Sequence, residues 1–187
     1  MKKFFLIGLI LLGGITSSYA QNYRGFIETG TIVNFKASGI SIPKGGFTFT
    51  TTHGYLFNPY VFLGGGIGVD YHSSGGRVFI PIFADFRTYF TDSNIAPFFD
   101  TKVGYSIGKK ESDVINPGVY FSPSIGLRFN IGSSNKAMNL AVGYNMQQQV
   151  YGYTDYYYHY YYDYYEYFDY KLKYLRHGLS IKLGVEF

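Results

Sequence analysis

A histidine followed by serines is the pattern in this sequence closest to an enzyme active site. His72, Ser73 and Ser74 are consecutive, and an extended strand would place His72 and Ser74 on one face, as a base and its nucleophile require. However, no acidic partner is identifiable, and HSSGG is typical of a tight polar loop. His177 and Ser180 have opposite parity and would lie on different faces of a strand. The sequence therefore predicts no catalytic residues.

A tyrosine-rich stretch, YTDYYYHYYYDYYEYFDY at residues 153–170, is the second candidate for chemistry. His159 lies among acids at Asp155 and Asp163, but no second histidine or cysteine joins it, so we predict no metal ligands and no cofactor. Tyrosine gives a large amphipathic contact surface at low entropic cost, which favours a binding surface for a glycan, lipopolysaccharide or protein. An aromatic cap over the rest of the fold and a disordered low-complexity segment are the alternatives.

Alternating apolar and polar residues divide the chain into eight segments that would position these side chains. The segments are 23–36, 46–57, 60–71, 77–90, 97–108, 117–132, 137–151 and 174–187. Each contains the roughly 9–11 residues that cross a membrane as a tilted strand, and none shows a convincing helical period. The pattern therefore predicts an all-β protein, an eight-stranded antiparallel transmembrane β-barrel.

The lengths of the connections predict which end of the barrel is which. The turns after the second, fourth and sixth segments are 58–59, 91–96 and 133–136. The other connections, most of them longer, are 37–45, 72–76, 109–116 and 152–173. Short periplasmic turns with longer outer loops are typical of outer-membrane barrels. We expect the last two strands to continue outward as a hairpin that turns near Tyr162 and Asp163, within the Tyr-rich outer loop at 152–173.

The polar face of the segments is rich in glycine and serine, with a few isolated charges, whereas the opposite face is nearly free of charge. Small residues suit the crowded interior of a narrow barrel, and a soluble protein would not expose so large an apolar belt. Parity places these charged residues in the lumen, where we expect them to neutralise one another: Glu28, Asp70, Arg77, Asp85, Arg87, Asp100, Lys102, Arg128, Lys182 and Glu186. His53 is an exception, because it shares the apolar parity of its segment.

The two ends of the chain carry targeting patterns. Residues 1–20, MKKFFLIGLILLGGITSSYA, combine two lysines, a short apolar run and small residues before Gln21, which predicts a signal peptide and a barrel over 21–187. Without Lys2 and Lys3 the chain has 14 basic and 12 acidic residues, a balance too weak for nucleic acid binding. The chain has no cysteine, which excludes disulfides and thiolate chemistry.

The final residues, HGLSIKLGVEF, form a period-2 strand that stops on an aromatic residue, Phe187. This strand resembles the C-terminal signal of bacterial outer-membrane β-barrels, which implies that the barrel assembly machinery recognises the strand that ends in Phe187. By its overall pattern, the chain resembles the membrane domain of the outer-membrane protein A and X group and the short porin-family barrels common in Bacteroidetes. The resemblance implies a place in the outer membrane of a Gram-negative bacterium, in contact with membrane lipids and lipopolysaccharide.

The function favoured by these observations is structural, or surface binding and adhesion through the outer loops, without catalysis. Three alternatives remain open. The first is a narrow ion channel or porin, although eight strands leave an interior only just wide enough for side chains. The second is a lipid A-modifying enzyme. The chain resembles the lipid A deacylases only in its His72-x-Ser74 pair. The third is an accessory barrel of a secretion system.

Overall fold

A computed structural model describes residues 22–35, 45–73, 76–110, 113–132, 136–159 and 164–187. Eight strands make up the fold: β1 Tyr23–Asn34, β2 Gly46–Asn58, β3 Val61–His72, β4 Arg77–Tyr89, β5 Ile95–Lys110, β6 Asp113–Asn130, β7 Ala137–His159 and β8 Tyr164–Glu186. No helix in these ranges has the length and apolar character needed to cross a membrane. The predicted signal peptide lies outside the described residues.

The strands form one closed barrel in which each pairs antiparallel with the next and β8 pairs with β1. The closing ladder runs from Phe26 opposite Glu186 to Asn34 opposite Gly178. Next to the Phe26–Glu186 pair, Gly25 and Phe187 exchange two backbone hydrogen bonds of 2.7 and 2.9 Å. Closure removes the unpaired strand edges that cost several kcal/mol per group in lipid. The predicted eight-stranded antiparallel barrel is therefore confirmed.

Side chains alternate between the outside of the barrel and its lumen, as the parity of the sequence predicts. On β8, Ile181 and Leu183 are 56% and 49% exposed, whereas Ser180 and Lys182 are 2% and 5% exposed. The same alternation places Val103 and Ile125 outside. The apolar faces thus form a continuous outer belt, and the polar faces fill the lumen.

Several strand boundaries differ from the prediction, most clearly between β5 and β6. The predicted loop 109–116 is wrong, because β5 continues to Lys110 and β6 begins at Asp113. Lys109 pairs with Val114, and Gly108 pairs with Ile115. The β-branched Val114 and Ile115 favour strand over loop. Elsewhere, the turn predicted at 58–59 is formed by residues 59–60, and the turn predicted at 91–96 ends earlier, since β5 begins at Ile95.

The ladder between β7 and β8 is much longer than the other ladders of the barrel. Pairing of β6 with β7 reaches Asn116 opposite Val150, and pairing of β1 with β8 reaches Asn34 opposite Gly178. The two long strands then stay paired without a register shift, up to His159 opposite Tyr164. The predicted continuation of the last two strands as a hairpin is thus confirmed for the paired backbone. The predicted turn at Tyr162 and Asp163 lies outside the described residues.

Candidate functional site: the charged lumen and the projecting hairpin

Six charged side chains from four strands meet inside the barrel and form what we call the central charge cluster: Glu28, Asp85, Arg87, Asp100, Lys102 and Lys182. Arg87 Nη2 lies 2.9 Å from Glu28 Oε1 and 3.2 Å from Asp100 Oδ2. Lys102 Nζ lies 2.6 Å from Asp100 Oδ2 and 2.8 Å from Glu28 Oε2. Asp85 is within 3.7 Å of Arg87 and 3.5 Å of Lys102. Three acids and three bases are therefore balanced within one buried layer.

Aromatic rings pack against the cations of this layer. The Arg87 guanidinium carbon lies 4.1 Å from the Phe26 ring centroid and 4.9 Å from that of Phe98. Lys102 Nζ lies 5.9 Å from the Phe83 centroid. Such cation–π contacts strengthen when they are desolvated. The charged side chains and the rings are almost fully buried, so this layer of the lumen is tightly packed.

Glycines opposite the large lumenal side chains provide the space for this packing. Gly66 pairs with Phe83, and a Cβ on Gly66 would lie 2.6 Å from the Phe83 ring. Gly184 pairs with Glu28, whose Cγ would lie 2.8 Å from a Cβ on Gly184. These distances are far below an ordinary carbon–carbon contact. The glycine-rich polar face is therefore the structural complement of the large residues across the ladder.

A second group of charges lies at the end of the barrel that carries the three short turns, which we call the turn-side end. Arg128 contacts Glu186 through two hydrogen bonds of 2.7 and 3.1 Å, and Arg24 Nε approaches the same carboxylate at 3.3 Å. Tyr89 lies beneath the Arg128 guanidinium, 5.4 Å from its carbon to the ring centroid. These residues line an open cavity of about 580 Å³.

Neutral polar side chains accompany Asp70 and His72 in the lumen at the opposite end, which we call the hairpin end. Thr48 donates a 2.6 Å hydrogen bond to Asp70 Oδ1. His72 Nε2 donates to Gln147 Oε1 at 3.1 Å, and Gln147 Nε2 donates to Ser106 Oγ at 2.5 Å. With the Gln147 amide in this orientation, His72 carries a proton on Nε2. His72 is thereby held as part of the lumenal packing.

The predicted lumenal residues all lie on the inner side of the barrel. Nine of them belong to the two charge groups or to the Thr48–Asp70 contact, and Arg77 is half-buried at the hairpin end. Sequence reasoning missed Arg24 and Gln147, both of which are buried. Arg24 shares the parity of Glu28, but the apolar Phe26 between them obscures the pattern. His72 is buried against Phe79, with ring centroids 5.6 Å apart, and Ser74 lies outside the described residues.

Histidine–tyrosine pairs interrupt the outer apolar belt near its two ends. At the turn-side end, Tyr23 Oη bonds His53 Nδ1 at 2.5 Å, and Thr51 Oγ1 bonds His53 Nε2 at 3.0 Å. At the hairpin end, Tyr144 Oη bonds His177 Nδ1, and the two rings stack with centroids 5.8 Å apart. Both nitrogens of His53 are thus satisfied on a face that sequence reasoning found anomalous.

These pairs indicate where the apolar belt begins and ends. On β8 the belt runs from His177 to Phe187, which at about 3.3 Å per residue and a tilt of about 40° spans roughly 25 Å along the barrel axis. The apolar band of outer-membrane barrels is also about 25 Å tall. The arms of β7 and β8 beyond His177 therefore extend outside the belt.

The part of the hairpin beyond its neighbours, which we call the projecting hairpin, comprises residues 151–159 and 164–172. It contains nine consecutive cross-strand pairs, from Tyr151 opposite Leu172 to His159 opposite Tyr164, and extends roughly 30 Å along the strand direction. Tyr156 and Tyr167 are directly opposite each other and are 66% and 68% exposed. Among the described residues, no three or more His, Cys, Asp or Glu side chains are grouped as metal ligands would be.

A closed eight-stranded barrel with an apolar exterior and a polar, side-chain-filled interior has the fold of the small outer-membrane β-barrels. Two solved structures are similar. Neisserial surface protein A (NspA) superposes with a TM-score of 0.62 at 14% identity, covering 88% of this chain and 94% of that one. The outer membrane protein OprG from Pseudomonas aeruginosa gives 0.52 at 12% identity, covering 89% and 96%. No family model and no curated protein sequence matches this chain.

Proposed function

We propose that this protein is a non-catalytic barrel of the outer membrane of a Gram-negative bacterium that presents the projecting hairpin as a binding surface outside the cell. The observation that carries the proposal is the nine-pair ladder from Tyr151–Leu172 to His159–Tyr164, beyond the last pairs with β6 and β1. A ladder of this length is not needed to span the apolar belt. Its tyrosines supply amphipathic contact area suited to recognition.

The charges inside the barrel support a role outside it. The central charge cluster is buried in the lumen and balanced in charge, and the buried His72 contacts Gln147. A porin would need an open lumen, and a deacylase-like enzyme would need a base that reaches substrate. The surface of the hairpin lies outside the belt, where it is available to ligands.

The lipids around the belt and the assembly machinery are partners in this proposal. The exposed ring of Phe187 lies at the turn-side end of β8, where the barrel closes on Gly25. The resemblance of this last strand to the C-terminal signal of outer-membrane barrels supports its recognition during insertion. The outer leaflet, with its lipopolysaccharide, then surrounds the hairpin end.

The test replaces residues 153–170 with a short Gly-Ser turn in the full chain. Cells that carry either version are applied to a panel of immobilised glycans, matrix proteins and purified full-length chain. We expect the variant to insert normally, as judged by heat-modifiable migration on a gel, and to lose the retention that the parent shows. Equal retention of cells with and without residues 153–170 would overturn the proposal.

A further inference from the structure

We infer that the β7 edge of the projecting hairpin binds the same edge of a second copy of this chain, carried on an opposing membrane. This inference rests on the proposed function and names its partner. Within the described residues, the ladder of β6 with β7 ends at Asn116 opposite Val150, whereas the ladder of β7 with β8 continues to His159 opposite Tyr164. An edge strand with one paired neighbour is a template for adding another strand.

The hydrogen bonds of the barrel determine which backbone groups point toward that edge. Gly25 and Phe187 exchange N–H···O bonds, so odd-numbered residues of β8 direct these groups toward β1 and even-numbered ones toward β7. The register of β7 with β8 continues without a shift. It follows that even-numbered residues of β7, such as Thr154 and Tyr158, direct their backbone groups away from β8, toward the open edge.

The β7 edge lacks the features by which natural proteins protect an exposed edge. Residues 151–159, YGYTDYYYH, contain neither proline nor lysine, and Asp155 is the one acid. The β8 arm, by contrast, carries Lys171 together with Glu166 and Asp169, and Lys173 follows it directly. Charged residues, and lysine above all, discourage strand addition at an edge. The β7 edge is therefore the one suited to accept another strand.

Charge complementarity selects the second copy and the register. When two β7 arms pair antiparallel about a twofold axis at Tyr157, Asp155 of each copy lies opposite His159 of the other. This is a non-hydrogen-bonded pair position, where side chains come closest, and an imidazole that donates a charge-assisted hydrogen bond to a carboxylate there stabilises the pairing. The register centred on Asp155 would instead place the two carboxylates opposite each other.

The direction of β7 then determines how the two barrels are oriented. β7 runs from the turn-side end toward the hairpin in every copy, so two copies in one membrane present parallel β7 edges. Antiparallel edges require one copy to be inverted relative to the other, as it is when two membranes face each other. A single contact of this size is weak, but many contacts between two surfaces act together. The expected consequence is membrane-to-membrane adhesion.

The experiment uses the full chain, without its predicted signal peptide, reconstituted in phospholipid vesicles. The fraction of hairpins facing outward is measured by trypsin cleavage at Lys171 and Lys173. Donor-labelled and acceptor-labelled vesicles that both carry the protein should cluster, giving energy transfer and increased light scattering. Mixing them with protein-free vesicles should give no such signal. Failure of wild-type vesicles to cluster overturns the inference.

A matched pair of proline variants tests the edge itself. Tyr158 and Tyr165 are direct cross-strand partners, and each directs its N–H toward the open edge of its own strand. Proline removes that donor without breaking the ladder between the arms. Tyr158→Pro should reduce clustering at least about tenfold, whereas Tyr165→Pro should leave it unchanged. Equal effects of the two variants, with heat-modifiable migration intact in both, would contradict the assignment to the β7 edge.

A charge exchange tests the register. Vesicles carrying only Asp155→Lys, or only His159→Asp, should not cluster among themselves, because like or unmatched charges then lie opposite each other. A mixture of the two populations should cluster, because each pair position again joins an acid to a base. Clustering of either single population as strong as that of the mixture would overturn the proposed register and, with it, the second copy as the selected partner.

Failure of this inference is distinguishable from failure of the proposed function. If wild-type vesicles do not cluster but retention on the panel of glycans and proteins still depends on residues 153–170, the hairpin is a binding surface for another partner. The inference then fails and the proposed function stands. If neither signal depends on the hairpin, both fail.

Discussion

Arg87 shows at the residue scale why the charged lumen is a structural element. It is fully buried, contacts the three carboxylates of the central charge cluster and lies between two aromatic rings. A buried charge is tolerated only when it is paired and hydrogen-bonded, so removal of one partner leaves the others uncompensated. Loss of one charge from the cluster should consequently destabilise the barrel more than loss of one acid and one base together.

Replacement of Arg87 by methionine should therefore destabilise the barrel by about 3–5 kcal/mol, because it leaves buried carboxylates without their counterion. Urea unfolding of the reconstituted protein in lipid vesicles measures the change. The double variant Arg87→Met with Glu28→Gln removes an acid together with the base and should recover at least about 1 kcal/mol. A stability of Arg87→Met within about 1 kcal/mol of wild type would mean that the cluster contributes little.

At the element scale, two adjacent glycines of strand β3, Gly65 and Gly66, have very different amounts of space for a side chain. A Cβ on Gly66 would lie 2.4 Å from the carbonyl oxygen of Thr51 and 2.6 Å from the Phe83 ring, whereas a Cβ on Gly65 would meet nothing closer than 3.7 Å. Gly66 faces the lumen and Gly65 faces outward. The close approach of the Thr51 carbonyl oxygen and of the Phe83 ring is therefore the reason for a glycine at position 66.

Gly66→Ala should destabilise the barrel by about 1–3 kcal/mol through overpacking. Gly65→Ala, one residue away on the same strand, should change stability by no more than about 0.5 kcal/mol. Both are measured by urea unfolding in the same lipid. Similar losses for the two variants would show that strand propensity, rather than contact with Phe83, decides the outcome.

The outward-facing residues of strand β8 lie partly within the apolar belt and partly beyond it. Ile181 lies in the middle of the apolar belt, whereas Leu175 lies beyond His177, and both side chains are exposed. Lysine at the midplane costs about 2–4 kcal/mol, falling to about 0–1 near the interface. Ile181→Lys should therefore destabilise insertion by about 2–4 kcal/mol and Leu175→Lys by less than about 1. Equal destabilisation by lysine at both positions would show that the belt does not end near His177.

Period-2 patterning predicted the barrel because each strand must separate lipid from a polar lumen, and this requirement acts on every residue. It could not predict that residues 109–116 are mostly strand, because above the belt neither face is constrained by lipid. Nor could it assign His72, since the hydrogen bonds of a lumenal histidine depend on Gln147 of another strand. Arg24 was missed for a related reason, because Phe26 and Ile32 on the same lumenal face hide the alternation in β1.

The whole molecule combines a lumen that holds a buried, charge-balanced cluster with a hairpin that extends past the belt. A lumen filled at the level of Arg87 and Lys102 should pass no solutes. In planar bilayers we expect no steady single-channel conductance above that of protein-free lipid. Discrete openings in the wild type would instead indicate a path past the central charge cluster, and would favour the narrow channel over the surface-binding role.

Depth-dependent fluorescence quenching tests most directly whether the apolar face of the barrel contacts acyl chains. The chain has no tryptophan, so single replacements of Leu175, Ile181 and Leu183 each introduce one reporter. In vesicles of lipids brominated at mid-chain, we predict strong quenching at positions 181 and 183 and little at 175. Quenching at Ile181→Trp that does not exceed that at Leu175→Trp would contradict the account.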